Sequence, residues 1–316
     1  MTDALPGDEA PVRTSPAICA ELHEELDTAV AQTAPIAWQT AGEACFRDPE
    51  TGESCAPYHG SWQYLLLLGV RNSTHPDTAF LLDTFRSFAR NGDRRILISG
   101  SADYAMLAHI LRAYDLELAT PEVTVIDRCD TPLALNRWYA ERAGIRIETI
   151  RSDAISFAAT DPFDVICTHS FVGWFSPDDR ERLVARWAEN LRPGGHVVTT
   201  RRIRKATSGG GRHGYDAEEL DRFEKKVRSA ADACRERLEV DPEEIVSAAM
   251  EDARTRVRFT TTSPDELSEL FERHGLKVTL ADTDAAVASG LADRPSGPVR
   301  GAGKRLRIVA RRETTP

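Results

Sequence analysis

Three acids and a histidine stand where apolar runs of this chain end. Ile96-Leu-Ile98 stops at Ser99-Gly100-Ser101-Ala102-Asp103, and Val123-Thr-Val-Ile126 stops at Asp127. The alternating Ile145-Arg-Ile-Glu-Thr-Ile150 is followed by Asp153, and Phe163-Asp-Val-Ile-Cys-Thr168 ends at His169-Ser170. In a doubly wound α/β sheet the turn after the first strand approaches a nucleoside-bearing ligand, and an acid ending the second strand accepts ribose hydroxyls. The order of these residues points to a dinucleotide or adenosyl site. His169 is the candidate general base, because an unperturbed imidazole titrates near neutrality. A histidine in that place equally serves to touch the ligand or orient a neighbour.

The elements that must hold these residues are legible in outline. Strands are predicted over 95–99, 122–126, 145–150, 163–168 and 196–200, with helices over 103–114 and 132–143, the alternation expected of a parallel sheet. Ser176-Pro-Asp-Asp179 starts a helix, since Ser caps, Pro tolerates the first turn and two acids complement the dipole. Pro193-Gly-Gly195 ends it, and 276–280 and 305–310 read as two last strands, able to pair antiparallel at the sheet edge. Before the sheet, periodicity suggests a helix from 19 ending near Pro35 or Gly42, then helices over 60–70 and 77–89. The resulting division has a disordered tail over 1–18, an N-terminal helical cap over 19–92, and a helical insertion or lid over 205–256. The α/β domain occupies 93–204 and 257–312.

Bulk properties narrow the function. The chain has 316 residues, 41% hydrophobic and 28% charged, with a formal charge of −10. That charge argues against a duplex-binding surface, which needs clustered Lys and Arg. No apolar stretch approaches the ~20 residues of a membrane span, and the acidic N-terminus lacks a secretory pattern. A cytoplasmic protein with free thiols is expected. The six cysteines have no repeating spacing. Cys129 and Cys167 are expected in or beside core strands. Cys45, Cys55 and His59 lack the paired close spacing of structural zinc, so no metal is expected.

The series Ile96–Asp103, Val123–Asp127, Asp153-Ala154, Phe163–Ser170 and Leu191-Arg-Pro-Gly-Gly195 resembles a class I S-adenosylmethionine-dependent methyltransferase, strongly over 95–200. The resemblance implies a Rossmann-like methyltransferase fold: α/β, doubly wound, a mostly parallel seven-stranded sheet, here with the cap before it and the insertion after strand five. It implies S-adenosylmethionine as cofactor, held by Gly100, Ser101, Ala102, Asp103, Asp127, Arg128, Asp153, Ala154, His169 and Ser170. Asp127 would take the ribose and Asp153 the adenine amino group. The family's acid on strand one is replaced by Ile98, and its later glycines by Ala102 and Tyr104. Asp103 then either holds the methionyl amine or simply caps the next helix. A nicotinamide-binding domain fits less well, because Ser-Gly-Ser-Ala-Asp-Tyr lacks the fingerprint that seats a pyrophosphate.

His169 and Thr200, at strand ends, are the catalytic candidates. Tyr58, Tyr64, Asn136, Phe171 and Trp174 are candidates for the substrate or sulfonium pocket, since aromatic faces attract a cation; rings of this kind also simply fill cores. Arg201, Arg202, Arg204 and Lys205 suit an acidic acceptor, although a solvated strand end is the plainer reading. The expected function is methylation of a small molecule in specialised metabolism, with no nucleic-acid or membrane partner and the oligomeric state open. Two alternatives remain. One is a methyltransferase-like cyclase or lyase that acts on the aminocarboxypropyl chain, giving a small cyclic amino acid and methylthioadenosine. The other is a non-catalytic cofactor-binding protein.

Overall fold

Short runs of Val, Ile and Leu make the centre of the molecule. The computed structural model describes residues 12–50, 52–203, 212–256, 258–283 and 304–314. Strands β1 (Arg95–Ser99), β2 (Glu122–Asp127), β3 (Glu148–Arg151), β4 (Phe163–His169) and β5 (Leu191–Arg202) pair in parallel. A ribbon of β6 (Arg212–His213) and β7 (Arg258–Phe259) stands apart from them. With β8 (Leu276–Thr283) and β9 (Arg305–Arg312), the main sheet has the order β3-β2-β1-β4-β5-β9-β8. Ile96, Leu97, Ile98, Val125, Val165 and Val197 are buried, as strands covered on both faces must be.

The last two strands pair antiparallel as expected, but β9 inserts between β5 and β8, so β8 alone lies at that edge. β3 starts at Glu148 rather than 145, because its ladder to β2 opens at Thr124↔Glu148. Ile145 instead closes the end of α5 (Asp130–Arg142), its N–H donating to the Ala140 carbonyl.

Ahead of the sheet lie α1 (Pro16–Ala44), α2 (Ala56–Leu67) and α3 (Thr78–Arg90). The expected disordered tail is too long: α1 already begins at Pro16, with the Ser15 side chain accepting the Ile18 N–H. Residues 1–11 of that tail lie outside the described residues. α1 also runs through Pro35 to Ala44. A proline inside a helix costs roughly 3 kcal/mol, and the continuous buried face Ala34, Ala37 and Ala41 outweighs it.

α4 (Ala105–Leu116) and α6 (Pro177–Asn190) flank the sheet, and α6 starts as its sequence requires, Ser176 Oγ accepting the Asp179 N–H. α9 (Pro264–Arg273) precedes β8. α7 (Ala217–Ala233) and α8 (Pro242–Thr255) form the segment after β5. Their stripe of Phe223, Val227, Val246, Ala249 and Met250 packs on Leu65 and Val70, next to α2. The insertion therefore leans on the N-terminal helices.

One polar chain crosses this packing. His23 Nε2 and His109 Nε2 both meet the Thr78 hydroxyl, at 2.8 and 3.0 Å, and His109 Nδ1 donates to the Ala105 carbonyl at 2.7 Å. Burial pushes His109 down to about 3, and burial with the nearby His75 takes His23 to about 4. Burial, with Arg311 and Arg192 nearby, also lowers His196 to about 4. These rings stay neutral in the folded chain but take protons near pH 6.5 once unfolded. Stability is then fully present above about pH 6.5 and falls as pH drops toward about 4, by roughly 3 kcal/mol or more in total. Urea midpoints measured across that range should decline; a flat profile would contradict neutral burial of these rings.

Candidate active site

The turn after β1 needs glycine. Gly100 has φ 76°, where L side chains rarely sit, and its N–H donates to the Ile126 carbonyl at 2.9 Å. A Cβ there would come within 2.5 Å of the Phe171 ring, which lies on the turn. The next N–H, of Ser101, donates to Asp127 Oδ2 at 3.0 Å, and the Cys129 N–H donates to Asp127 Oδ1 at 2.9 Å. Asp127 thereby ties its own loop to the β1 turn. Burial pushes its carboxyl up, against the pull of His59 and these two N–H groups.

Asp153 sits one strand over. Its Oδ1 accepts the Ile155 N–H at 2.8 Å, and its Oδ2 lies 3.7 Å from Arg128 Nε. Asp127, Arg128, Asp153, Ala154 and Phe171 join Gly100, Ser101 and Ala102 along one cleft of about 680 Å³. This is a volume usual for a small organic ligand. These residues lie at or follow the ends of four strands, β1 to β4, that the sheet order brings together.

Asp103 meets the capping expectation in part. Its Oδ1 accepts the Ala105 N–H at 2.8 Å, as a cap does. Its Oδ2 accepts from Trp62 Nε1 at 2.7 Å and Ser73 Oγ at 3.2 Å, so residues ahead of the sheet grip the turn. Tyr104, where the family pattern has glycine, is buried and stacked on Tyr139. Asn136 lines neither cavity, contrary to expectation. Its amide is buried under the turn and donates to the Pro132 carbonyl (2.8 Å), the Asp103 carbonyl (3.3 Å) and Ser101 Oγ (3.4 Å).

His169, at the end of β4, lines both this cleft and a second cavity beside it. Its Nε2 lies 2.8 Å from Asp77 Oδ2. Asp77 has no exposed side-chain surface, and it also accepts from Arg305 Nη1 at 2.7 Å and Arg307 Nε at 2.9 Å. Burial alone would raise this carboxyl, but the His169 hydrogen bond and the two arginines bring it down to about 2. Ser170, the following residue, is held at φ 55°, with its N–H on the Thr200 carbonyl. A non-glycine residue in this region is uncommon and marks a turn under constraint.

The second cavity, about 150 Å³, is lined by Asp103, His169, Ser170, Tyr58 and Trp174, and by Arg201, Arg202, Arg256, Arg258 and Arg305. Arg201 is no solvated strand end: it is buried, Nε 3.1 Å from Thr261 Oγ1, and it hydrogen-bonds the Phe259 carbonyl. Its guanidinium fills the place where any Gly173 side chain would stand. Residues 204 and 205 of the same basic run lie outside the described residues. Strand alternation puts Thr200, next to Arg201, on the other side of β5, where it is buried and lines neither cavity, which removes it as a catalytic candidate. Tyr64 is also misplaced by the sequence reading. It turns from the site to pack with Trp38 and Ile245. Tyr58 and Trp174 do line the site, yet both already lie against the Arg256 guanidinium, at 4.7 and 5.4 Å.

Nothing in the sequence spacing singled out Asp77, Arg256 or Arg258. The missing signal is understandable for the arginines, which come from the insertion and the segment after it. The thiols of Cys45, Cys55 and Cys129 also gather with His59 at the cleft's edge, where spacing gave no metal pattern.

Replacing Asp77 with Asn should leave buried arginine charge uncompensated and cost about 3–5 kcal/mol. Chemical denaturation of the variant measures this, and a loss below about 1 kcal/mol, the surface-pair range, would contradict it. The Asp77 contribution itself is present above about pH 4 and disappears as pH falls through about 2, because its folded-state value is depressed.

Residues 105–195 match the family model described as a methyltransferase domain. No curated protein matches this chain. Among solved structures, 1,6-didemethyltoxoflavin-N1-methyltransferase of Burkholderia thailandensis is similar at 13% identity and a TM-score of 0.46, covering 86% of this chain and 96% of its own. An S-adenosylmethionine-dependent methyltransferase of Clostridium acetobutylicum gives 10% identity and a TM-score of 0.48, covering 79% and 96%. Likenesses this faint say nothing of the acceptor. Residues 105–195 thus carry a methyltransferase domain, set in the seven-stranded sheet order of a Rossmann-like methyltransferase fold.

Proposed function

We propose that this protein methylates a small anionic acceptor with S-adenosylmethionine. The observation that carries the reading is a pair of adjoining cavities that share Gly100, Ser101, Ala102, Tyr58, His169 and Trp174. The larger has the acids for a nucleoside: Asp127 for the ribose and Asp153 for the adenine amino group. The smaller has cations and room only for a small group. The shared residues mark where a reactive sulfonium would face an acceptor. The cofactor supplies an electrophilic methyl group; the protein supplies position, charge and exclusion of water.

The charge of the smaller cavity favours a carboxylate or phosphate. Five arginines line it against one acid, Asp103, already hydrogen-bonded by Trp62. Arg258 is pushed well below its ordinary value by burial and by neighbouring Arg256, and its buried Nη1 has no hydrogen-bond partner among the described residues. An anion beside it would relieve an uncompensated buried cation, and guanidinium forks suit both carboxylate and phosphate. Such an acceptor fits a biosynthetic methylation in specialised metabolism.

His169 is the proposed base. Its Nε2 is engaged by Asp77, which holds the ring still and leaves Nδ1 as the nitrogen that can face the acceptor. An acceptor nitrogen or oxygen would give its proton to that ring as it takes the methyl group. The arginines on Tyr58 and Trp174 make those rings positioning surfaces for the acceptor end, leaving Phe46, Phe171 and Phe175 as the further aromatics of the nucleoside cleft.

Titration calorimetry with S-adenosylhomocysteine should show binding that Asp127→Ala weakens by about 10–100-fold, the worth of charge-assisted hydrogen bonds. Arg258→Ala should leave that affinity unchanged and reduce methylation of anionic acceptors. Incubation with S-adenosylmethionine alone should leave it intact. Release of methylthioadenosine without an acceptor would overturn methyl transfer in favour of cyclisation or cleavage of the aminocarboxypropyl chain. Absence of any binding would overturn both.

A further inference from the structure

We infer that Cys45, Cys55, His59 and Cys129 form a tetrahedral zinc site that fastens the N-terminal helices to the strand end carrying Asp127. Three separate segments bring the ligands together. Cys45 is the C-cap of α1, Cys55 is the N-cap of α2, and Cys129 is the N-cap of α5. His59 stands one turn into α2, its N–H donating to the Cys55 carbonyl at 3.0 Å, so these two side chains share a helix face.

The ligand atoms all lie within 4.8 Å of one another. Cys55 Sγ is 2.8 Å from Cys129 Sγ, and Cys45 Sγ is 3.2 Å from His59 Nδ1. Tetrahedral zinc, with Zn–S near 2.3 Å and Zn–N near 2.0 Å, places its ligands roughly 3.5–3.8 Å apart. Shifts of about an ångström or less would open the cluster around an ion. The two closest sulfurs are nearer than unbonded sulfurs rest, and a shared metal ion removes that conflict.

The chemistry of the set is selective. Three thiolates and one imidazole favour zinc over hard cations, and four protein ligands close the coordination shell. The site is therefore structural and leaves no position for a substrate. Thr131 Oγ1, 3.3 Å from Cys45 Sγ, supplies a hydroxyl to the ligand sulfur, the kind of outer contact that orients metal ligands. His59 and Cys129 are buried, while Cys45 and Cys55 are partly so. Cys19, Cys167 and Cys234 take no part in the group. The location gives the ion a purpose. The Cys129 N–H is one of the two backbone donors on Asp127, and Cys55, His59 and Cys129 line the nucleoside cleft. A metal there pins the loop that presents Asp127.

The protein, purified without a polyhistidine tag or chelator, should contain zinc in a one-to-one ratio by elemental mass spectrometry. Growth with cobalt should give the intense visible bands of a tetrahedral thiolate site. Cys45→Ser and Cys129→Ser should lower the zinc content by about tenfold, while Cys234→Ser keeps it. Wild-type protein that holds no zinc, even after zinc ion alone is offered under reducing conditions, overturns the proposal whatever the variants do. So does a Cys129→Ser protein with undiminished zinc, or an intact mass showing a Cys55–Cys129 disulfide in its place.

Discussion

A carboxylate with no exposed surface holds this molecule's working end together. Asp77 sits ahead of α3, yet its partners are His169 at the end of β4 and two arginines on β9. An acid so buried is tolerable only because three donors neutralise it, and those donors are tolerable only because it is there. The reciprocity joins the N-terminal helices, the centre of the sheet and its late-inserted strand. It also decides which face of His169 is available. Remove the acid, and the histidine loses its orientation while two guanidinium groups lose their reason to be buried.

Around that joint, the two halves of the site are built by different parts of the chain. Strand ends β1 to β3 furnish Gly100, Asp127 and Asp153, linked by the Ser101 N–H on Asp127. The N-terminal helices then close over the turn through Trp62 on Asp103. The cationic half comes from β5, the C-cap of α8, β7 and the start of β9. Because α7 and α8 pack on the N-terminal helices, any change in that packing reaches Arg256 and Arg258, and through them Tyr58 and Trp174. The cleft of Asp127 is thus tied by backbone hydrogen bonds, and the smaller cavity is lined by long arginine side chains.

What the amino-acid sequence disclosed follows the same division. Asp127 and Asp153 stood out because one ends β2 and the other follows β3 by two residues, and strand ends converge in a parallel sheet whatever surrounds them. Tyr64 and Thr200 were misjudged for a directional reason: a residue near the right place on a helix or strand still points one way, and theirs is into packing. Asn136 was close to the turn but beneath it. Arg201 read as solvated because a basic run carries no sign of the Gly173 gap and Phe259 carbonyl that receive it. Asp77, Arg256 and the Cys45–Cys129 group depend on contacts between distant segments, and no local pattern announces those. Helix α1 outlasting Pro35 is the same lesson in the fold, a buried alanine face overriding a local breaker.

The central claim is one of orientation: the nucleoside lies between Asp127 and Asp153, with its sulfur directed past Gly100 toward His169 and the arginine-lined cavity. A crystal structure of the complex with S-adenosylhomocysteine tests this most directly. The account requires ribose hydroxyls on Asp127, the adenine amino group near Asp153, and the sulfur at the opening shared by the two cavities. A nucleoside bound elsewhere, or a sulfur facing away from His169, would contradict it.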